Sequence, residues 1–210
     1  NRIRFFSTNL TATACFPAPA DAARAARRLA ALGFNLVRLH FMDIEKPNGL
    51  FESDLVTINP GQLDRLDRLV AELKAAGIYV DLNLHVARRY PGIAGEAARR
   101  FPFGKMLDRF HPPFIAMQET YARQLLGHVN PYTRTSYAAE PAVAMVELNN
   151  ENTLLPFWGG NLDSLPEPFA GELMRQWNAW LKGAYGSDAN LRASWRHGER
   201  EPGPDLLGGT

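Results

Sequence analysis

Polar side chains recur at alternate positions near the ends of three otherwise apolar segments: Arg38 and His40 in one, Asp81, Asn83 and His85 in the next, and Glu147, Asn149 and Glu151 in the third, with Asn150 between the last two. Successive side chains of a strand point to opposite faces, so each set shares one face. A single set would mean little. Three sets at corresponding strand ends predict one polar pocket at the mouth of a parallel sheet. There the Glu151 carboxyl can give and take a proton, and the neighbouring amide, guanidinium and imidazole groups can hold a polar ligand. Plainer readings stay open at this point. Arg38 can serve as an ion-pair partner for Asp81 or Glu147, and Asn150–Glu151 can cap the entrance to the following helix. A further one, in which His40, His85 and Glu151 hold a divalent metal, uses suitable ligand types but lacks a compact ligand motif.

The segments that must position these groups alternate as short apolar strands and amphipathic helices, the pattern of parallel βα units. Residues 3–10 form a first strand. Asp21 caps a helix over 21–32, with Ala26, Leu29, Ala30 and Leu32 on one face, and Gly33 closes it. Strand two, 34–40, follows at once. Pro60 opens a second helix carrying Leu63, Leu66, Leu69, Val70 and Leu73; Gly77 ends it, and strand three runs over 78–84. Residues 32–40 and 76–85 read as two copies of one helix–turn–strand device, offset by one residue. A third helix over 113–128, a fourth strand over 142–148, a fourth helix over 168–185 and a shorter helical piece over 189–195 complete the pattern. Trp177, Trp180 and Leu181 are expected on the core face of the fourth helix, and Arg88-Arg89 and Arg99-Arg100 as solvated loop charges. The turns after Gly33 and Gly77 are tight, whereas 41–59 and 86–112 are long. In (β/α) barrels such long loops crown the C-terminal ends of the strands, where active sites are built.

Composition sets bounds on this picture. With 210 residues, 46% hydrophobic and 21% charged, the chain can bury one sizeable core. A single domain over 1–210 is expected, with 201–210, rich in Pro and Gly, as a flexible tail. A formal net charge of +1, with the signs interspersed, excludes the basic stripe of a nucleic-acid binder. No apolar run reaches the roughly eighteen residues that cross a bilayer, so no membrane partner is expected. Cys15 is the sole cysteine, which rules out an intrachain disulfide or a thiolate metal cage and marks it as a small buried hydrophobe. The first residue is Asn1, not an initiator methionine, and the compartment stays open; a secreted or periplasmic protein whose leader has been removed fits. No cofactor or metal is expected.

The segments Asn35-Leu36-Val37-Arg38, Asp81-Leu82-Asn83-Leu84-His85 and Val146-Glu147-Leu148-Asn149-Asn150-Glu151-Asn152 resemble, in order and spacing, those of the clan A glycoside hydrolases, especially the cellulase-like glycoside hydrolase family 5. Trp177-Asn178-Ala179-Trp180-Leu181, with Tyr185-Gly186 and Ser194-Trp195, is similar to the region after strand four in related bacterial sequences. The resemblance implies an α/β fold of (β/α) TIM-barrel type. It also implies that Glu151 is the general acid/base of a retaining β-glycoside hydrolase acting on a β-glucan or related oligosaccharide. Asn150 would donate to the sugar hydroxyl next to the reacting carbon, Arg38 would orient a carboxylate nucleophile, and His85 and His40 would bond sugar hydroxyls. Phe41, Tyr90, Phe157 and Trp158 are candidates to stack on sugar faces.

Four βα units are visible, against the eight of a closed barrel of about 250 residues. A half barrel is therefore expected. The family's nucleophile is a glutamate ending strand seven, and no such strand follows Glu151. Glu147 is a poor substitute: four residues of strand put it about 13 Å from Glu151, whereas retaining chemistry wants the two carboxyls about 5 Å apart. Two free edges and an uncovered inner face predict self-association, as a two-fold dimer that closes a pseudo-barrel. The alternative function is a carbohydrate-binding half barrel that assembles without turnover; another is a fragment whose activity belongs to a longer parent chain.

Overall fold

Two prolines start the helices that back the sheet. In the computed structural model, which describes residues 2–154 and 162–195, Pro19 lies in the first turn of α1 (Pro19–Ala31) and Pro60 in that of α2 (Pro60–Ala75). A helix leaves those first N–H groups unpaired in any case, so proline is tolerated there. The Asn59 side chain caps α2 by accepting a hydrogen bond from the Gln62 amide at 2.8 Å. Gly33 (φ 86°) and Gly77 (φ 75°) follow the two helices. Nothing stands within 4 Å of where a β-carbon would lie at either, so the backbone angle, not crowding, selects glycine.

These turns deliver β2 (Leu36–His40) and β3 (Tyr79–Asn83) into a parallel sheet of order β1-β2-β3-β6, with β1 at Ser7–Thr11 and β6 at Val143–Glu147. Arg38 pairs in register with Asp81, and Asn83 with Glu147, with one irregularity between Val80 and Asp81. The long connection after β3 contains a short helix, α3 (Gly95–Arg100), and leads into α4 (Pro112–Gly127). A hairpin of two-residue strands, β4 (Val129–Asn130) and β5 (Thr135–Ser136), intervenes before β6; strands this short leave no alternation to read. After β6 come α5 (Phe169–Tyr185) and α6 (Asp188–Trp195). The fold is α/β, a half barrel of the (β/α) TIM-barrel type.

The core lies between sheet and helices. Val37, Leu39, Val80 and Leu82 are fully buried against Ala22 and Ala26 of α1, Leu66, Leu69, Val70 and Leu73 of α2, and Tyr121 and Leu125 of α4, and Cys15 joins them as a small apolar group. A second cluster, built on Tyr90, Phe101, Leu107, Phe110 and Phe114, fastens the loop after β3 to Phe169 of α5. Two expectations need correction. Leu181 is buried, but Trp177 and Trp180 are 46% and 54% exposed and stack on each other at 5.1 Å; helical spacing aligns a stripe without saying whether anything covers it. Arg88 is not a solvated charge. It is buried, donates to the carbonyl oxygens of Leu55 and Met117, and lies 4.4 Å from the Phe51 ring centre. Among the described residues no helix is long and apolar enough to cross a membrane. Phe157, Trp158 and 201–210 lie outside those residues.

Candidate active site

The parallel register gathers the polar sets on the face of the sheet turned away from the helices. Arg38 donates through Nε to Glu147 Oε1 at 2.9 Å and through Nη2 to Oε2 at 2.5 Å, a two-pronged pair, and Nη2 also reaches Asn150 Oδ1 at 2.9 Å. One guanidinium thus ties β2 to β6 and to the turn beyond it. Burial, then the Glu147 carboxylate, push the Asp81 carboxyl up to about 6, with Arg38 opposing. The ion-pair reading of Arg38 holds for Glu147, and the same group orients the Asn150 amide.

The ladder runs past the end of β6, since the Leu84 amide donates to Glu147 O at 2.9 Å and the Asn150 amide to His85 O at 2.8 Å. Glu151 comes next, exposed, with φ 44°. A non-glycine residue there carries strain that its surroundings must hold. One loop holds it. Lys105 Nζ donates to the carbonyl oxygens of Asn150 (2.9 Å) and Glu151 (3.4 Å), the Met106 amide to Asn152 Oδ1 (2.9 Å), and Arg109 Nη2 to Asn152 O (2.6 Å). Asn152 Nδ2 in turn donates to Asp108 Oδ1 at 2.7 Å. Burial pushes the Asp108 carboxyl up to about 6, while it draws the Lys105 ammonium below its ordinary range against the opposing field of Glu151.

Burial, then the Arg88 charge, bring His85 down to about 4. His40 is lowered by burial and by Arg38, with Glu147 and Glu151 pulling the other way. Both imidazoles are set up to hydrogen-bond as neutral rings rather than to carry charge at neutral pH. His40 Nδ1, His85 Nδ1, Asp81 Oδ1 and both polar atoms of the Asn83 side chain are buried and have no hydrogen-bond partner among the described residues. So many unpaired polar atoms on one face call for an explanation outside the sheet. Among the described residues no group of three or more His, Cys, Asp or Glu is placed to hold a metal.

The geometry adds residues that the strand pattern could not supply. Asp43, fully buried, accepts hydrogen bonds from the backbone N–H groups of Val86, Ala87 and Arg88, and so fixes the chain just after His85; burial raises its carboxyl. Its signal was an acid three residues beyond His40. Lys105 lies between two single 3-10 turns, and Asp108 and Arg109 belong to the second, Leu107–Arg109; turns this short carry no period to mark them. Of the aromatic candidates, Tyr90 is buried and stacked on Phe114 at 4.5 Å, whereas Phe41 is half-buried, edge-on to His40.

A family profile described as cellulase (glycosyl hydrolase family 5) matches residues 3–154. Comparison with curated proteins finds no match. Among solved structures, the endo-1,4-β-mannanase from Rhizomucor miehei is similar with a TM-score of 0.58 and 16% identity, over 89% of this chain and 54% of that one. The endo-β-1,4-mannanase from Thermotoga petrophila gives 0.53 and 18%, over 87% and 41%. A family 5 mannosidase from Rhizomucor miehei gives 0.52 and 14%, over 70% and 44%. The chain spans about half the length of these solved structures, and at such identities the likeness is one of fold. The family match runs from before β1 to beyond Glu151 and takes in every strand-end set described above; the chain belongs to the cellulase family, glycosyl hydrolase family 5.

Proposed function

We propose that the chain supplies the acid/base side of a retaining β-glycoside hydrolase, with Glu151 protonating the leaving oxygen and then, as carboxylate, activating the water that releases the glycosyl intermediate. The hold on Asn150 carries this reading. Its Oδ1 accepts from Arg38, so Nδ2 is turned away as a donor, with no hydrogen bond of its own among the described residues. Such a donor suits the hydroxyl beside the reacting carbon, where the bond strengthens as charge develops. Neutral His40 and His85 suit the other sugar hydroxyls. The substrate class is a β-linked glucan or related oligosaccharide. β-1,4-Mannan is the first to try, because two of the similar structures are mannanases.

Glu147 is engaged by both prongs of Arg38 and lies four residues before Glu151, so in this reading the second carboxylate comes from outside this sheet. Met145, Val146 and Leu148 at the β6 edge are 40%, 38% and 69% exposed. With the unpaired inner-face atoms, they suit a second half barrel, in the simplest case a second copy related by a two-fold axis. A second copy brings another strand-four Glu151 rather than a strand-seven glutamate, and sugar binding without turnover is then the outcome.

The test is hydrolysis of an aryl β-mannoside or β-glucoside by the chain and by Glu151→Gln. The substitution is expected to lower the rate about 10²- to 10⁴-fold with the fold intact. An unchanged rate would remove Glu151 from the chemistry. Binding of the sugar with no hydrolysis by either protein favours the assembling, non-catalytic half barrel. Sedimentation at micromolar concentration decides the assembly: a monomer excludes the dimer.

A further inference from the structure

The candidate active site lies at the C-terminal ends of the strands; the opposite pole of the sheet has a different surface. Residues 2–6 lead into β1, and Asn35 fastens them to the turn after α1. Its side chain accepts from the Phe6 amide at 2.7 Å and donates to Arg4 O at 2.8 Å, while its own amide donates to Phe6 O at 3.1 Å. Phe6 stacks on Phe34 with ring centres 4.6 Å apart, and Phe5 meets Tyr79, the first residue of β3, edge-on at 5.7 Å. The backbone is held, yet the side chains are not covered. Ile3, Phe5, Phe6 and Leu32 are 56%, 42%, 59% and 53% exposed. Apolar residues exposed singly need no explanation, but four around one bonded turn do.

The charges at this pole are of one sign. Residues 2–42 carry six arginines and a single acid, Asp21. Asp21 sits in the first turn of α1, about 17 Å along the helix axis from Leu32, and pairs there with Arg24 at 2.7 Å. Arg28 stands one turn before Leu32, on the same side of the helix. Arg2, Arg4 and Arg28 are exposed, and their guanidinium groups make no hydrogen bond or ion pair among the described residues. Near the start of β6, Glu140 is buried and paired with Lys74. The pole thus sets unpaired cations among uncovered aliphatic and aromatic side chains.

We propose that this pole is a docking surface for an anionic membrane. Arg2, Arg4 and Arg28 bond lipid phosphates, and Ile3, Phe5, Phe6 and Leu32 enter the boundary between headgroups and acyl chains. The aliphatic members favour lipid over nucleic acid, which offers phosphates to a guanidinium and bases to an aromatic ring but little to Ile3 or Leu32. The lack of an apolar run long enough to cross a bilayer does not bear on the proposal, since contact with the surface needs none. The strands are parallel and five residues long, so the candidate active site stands about 17 Å of strand away from the pole. Docking therefore turns that site outward, toward solvent. The inference is independent of the reaction assigned to Glu151.

The experiment is co-sedimentation of the full chain with vesicles of phosphatidylcholine alone and of phosphatidylcholine with phosphatidylglycerol, at low and at raised salt. The unsubstituted chain is expected to pellet with the anionic vesicles, more so as their phosphatidylglycerol content rises, and to be released by salt. Arg2→Gln with Arg4→Gln is expected to weaken this binding about 30-fold, and Ile3→Ser with Leu32→Ser about tenfold. All four positions are exposed, so circular dichroism is expected to show the parent fold in both variants. No binding of the unsubstituted chain to anionic vesicles, or equal binding to neutral ones, overturns the proposal without recourse to any variant. If the arginine substitutions weaken binding, the apolar ones do not, and duplex DNA competes with the vesicles, the pole is a general polyanion surface and the lipid assignment falls. If vesicles stay unbound and the apolar substitutions convert a dimer into a monomer, the surface belongs to a second copy of the chain and the proposal falls as well.

Discussion

One sheet presents two faces that obey different rules. Toward the helices, Val37, Leu39, Val80 and Leu82 are sealed in apolar contact. On the other face, Arg38, Asp81, Asn83 and Glu147 sit at alternating positions of the same strands, partly paired and partly with buried atoms that no described residue satisfies. The first face is apolar and closed by helices of the same chain; the second is polar and carries the proposed site. The two sets of side chains are separated by a single peptide unit along each strand.

Breaking the sealed face should cost most. Leu82→Ala leaves a cavity in the middle of the sheet and is expected to lose about 2–5 kcal/mol in urea unfolding, with the slope unchanged. A loss below about 1 kcal/mol would mean that this face is looser than its burial indicates. On the other face, Arg38→Leu leaves Asp81 and Glu147 side by side without their cation. The expected loss is about 2 kcal/mol, less than for a wholly buried pair because both partners keep some water. Adding Glu147→Leu should recover most of it, and no recovery would deny the pairing.

A subtler break uses pH. With Asp81 raised to about 6 in the folded state, its contribution to stability is fully present below the unfolded value near 4 and is lost as pH rises through 6. Asp81→Asn should therefore match the parent near pH 4 and exceed it by about 1 kcal/mol at pH 8. A gain that is the same at both values would place the effect elsewhere. His85, lowered to about 4, has the opposite sign: its share is present above about 6.5 and is lost as pH falls through 4. The smallest effect is expected at Trp180→Gln, within about 0.5 kcal/mol, because the indole is exposed. A loss above about 2 kcal/mol at micromolar concentration would instead reveal a covered face, as in a dimer.

The same contrast explains what could be read from residue order. The period of two along β2, β3 and β6 marked Arg38, Asp81 and Glu147, and the glycine after each of α1 and α2 marked where strands begin, because these are local rules of backbone geometry. The burial of Arg88 was not legible, since Leu55 and Met117, which accept its hydrogen bonds, lie some thirty residues away in each direction. Lys105 was hidden for the same reason: it acts on residues 45 and 46 positions further along, from a loop with no repeat. The exposure of Trp177 and Trp180 depends on what packs over α5, which no helical period records.

Gly104 lies between half-exposed Phe103 and Lys105, whose ammonium donates to the carbonyl oxygens of Asn150 and Glu151. With φ at 65° and the Tyr90 ring against it, it admits neither another residue type nor another angle at low cost. A side chain placed there is therefore expected to disturb Phe103 and Lys105 together, because they are its two neighbours in the chain.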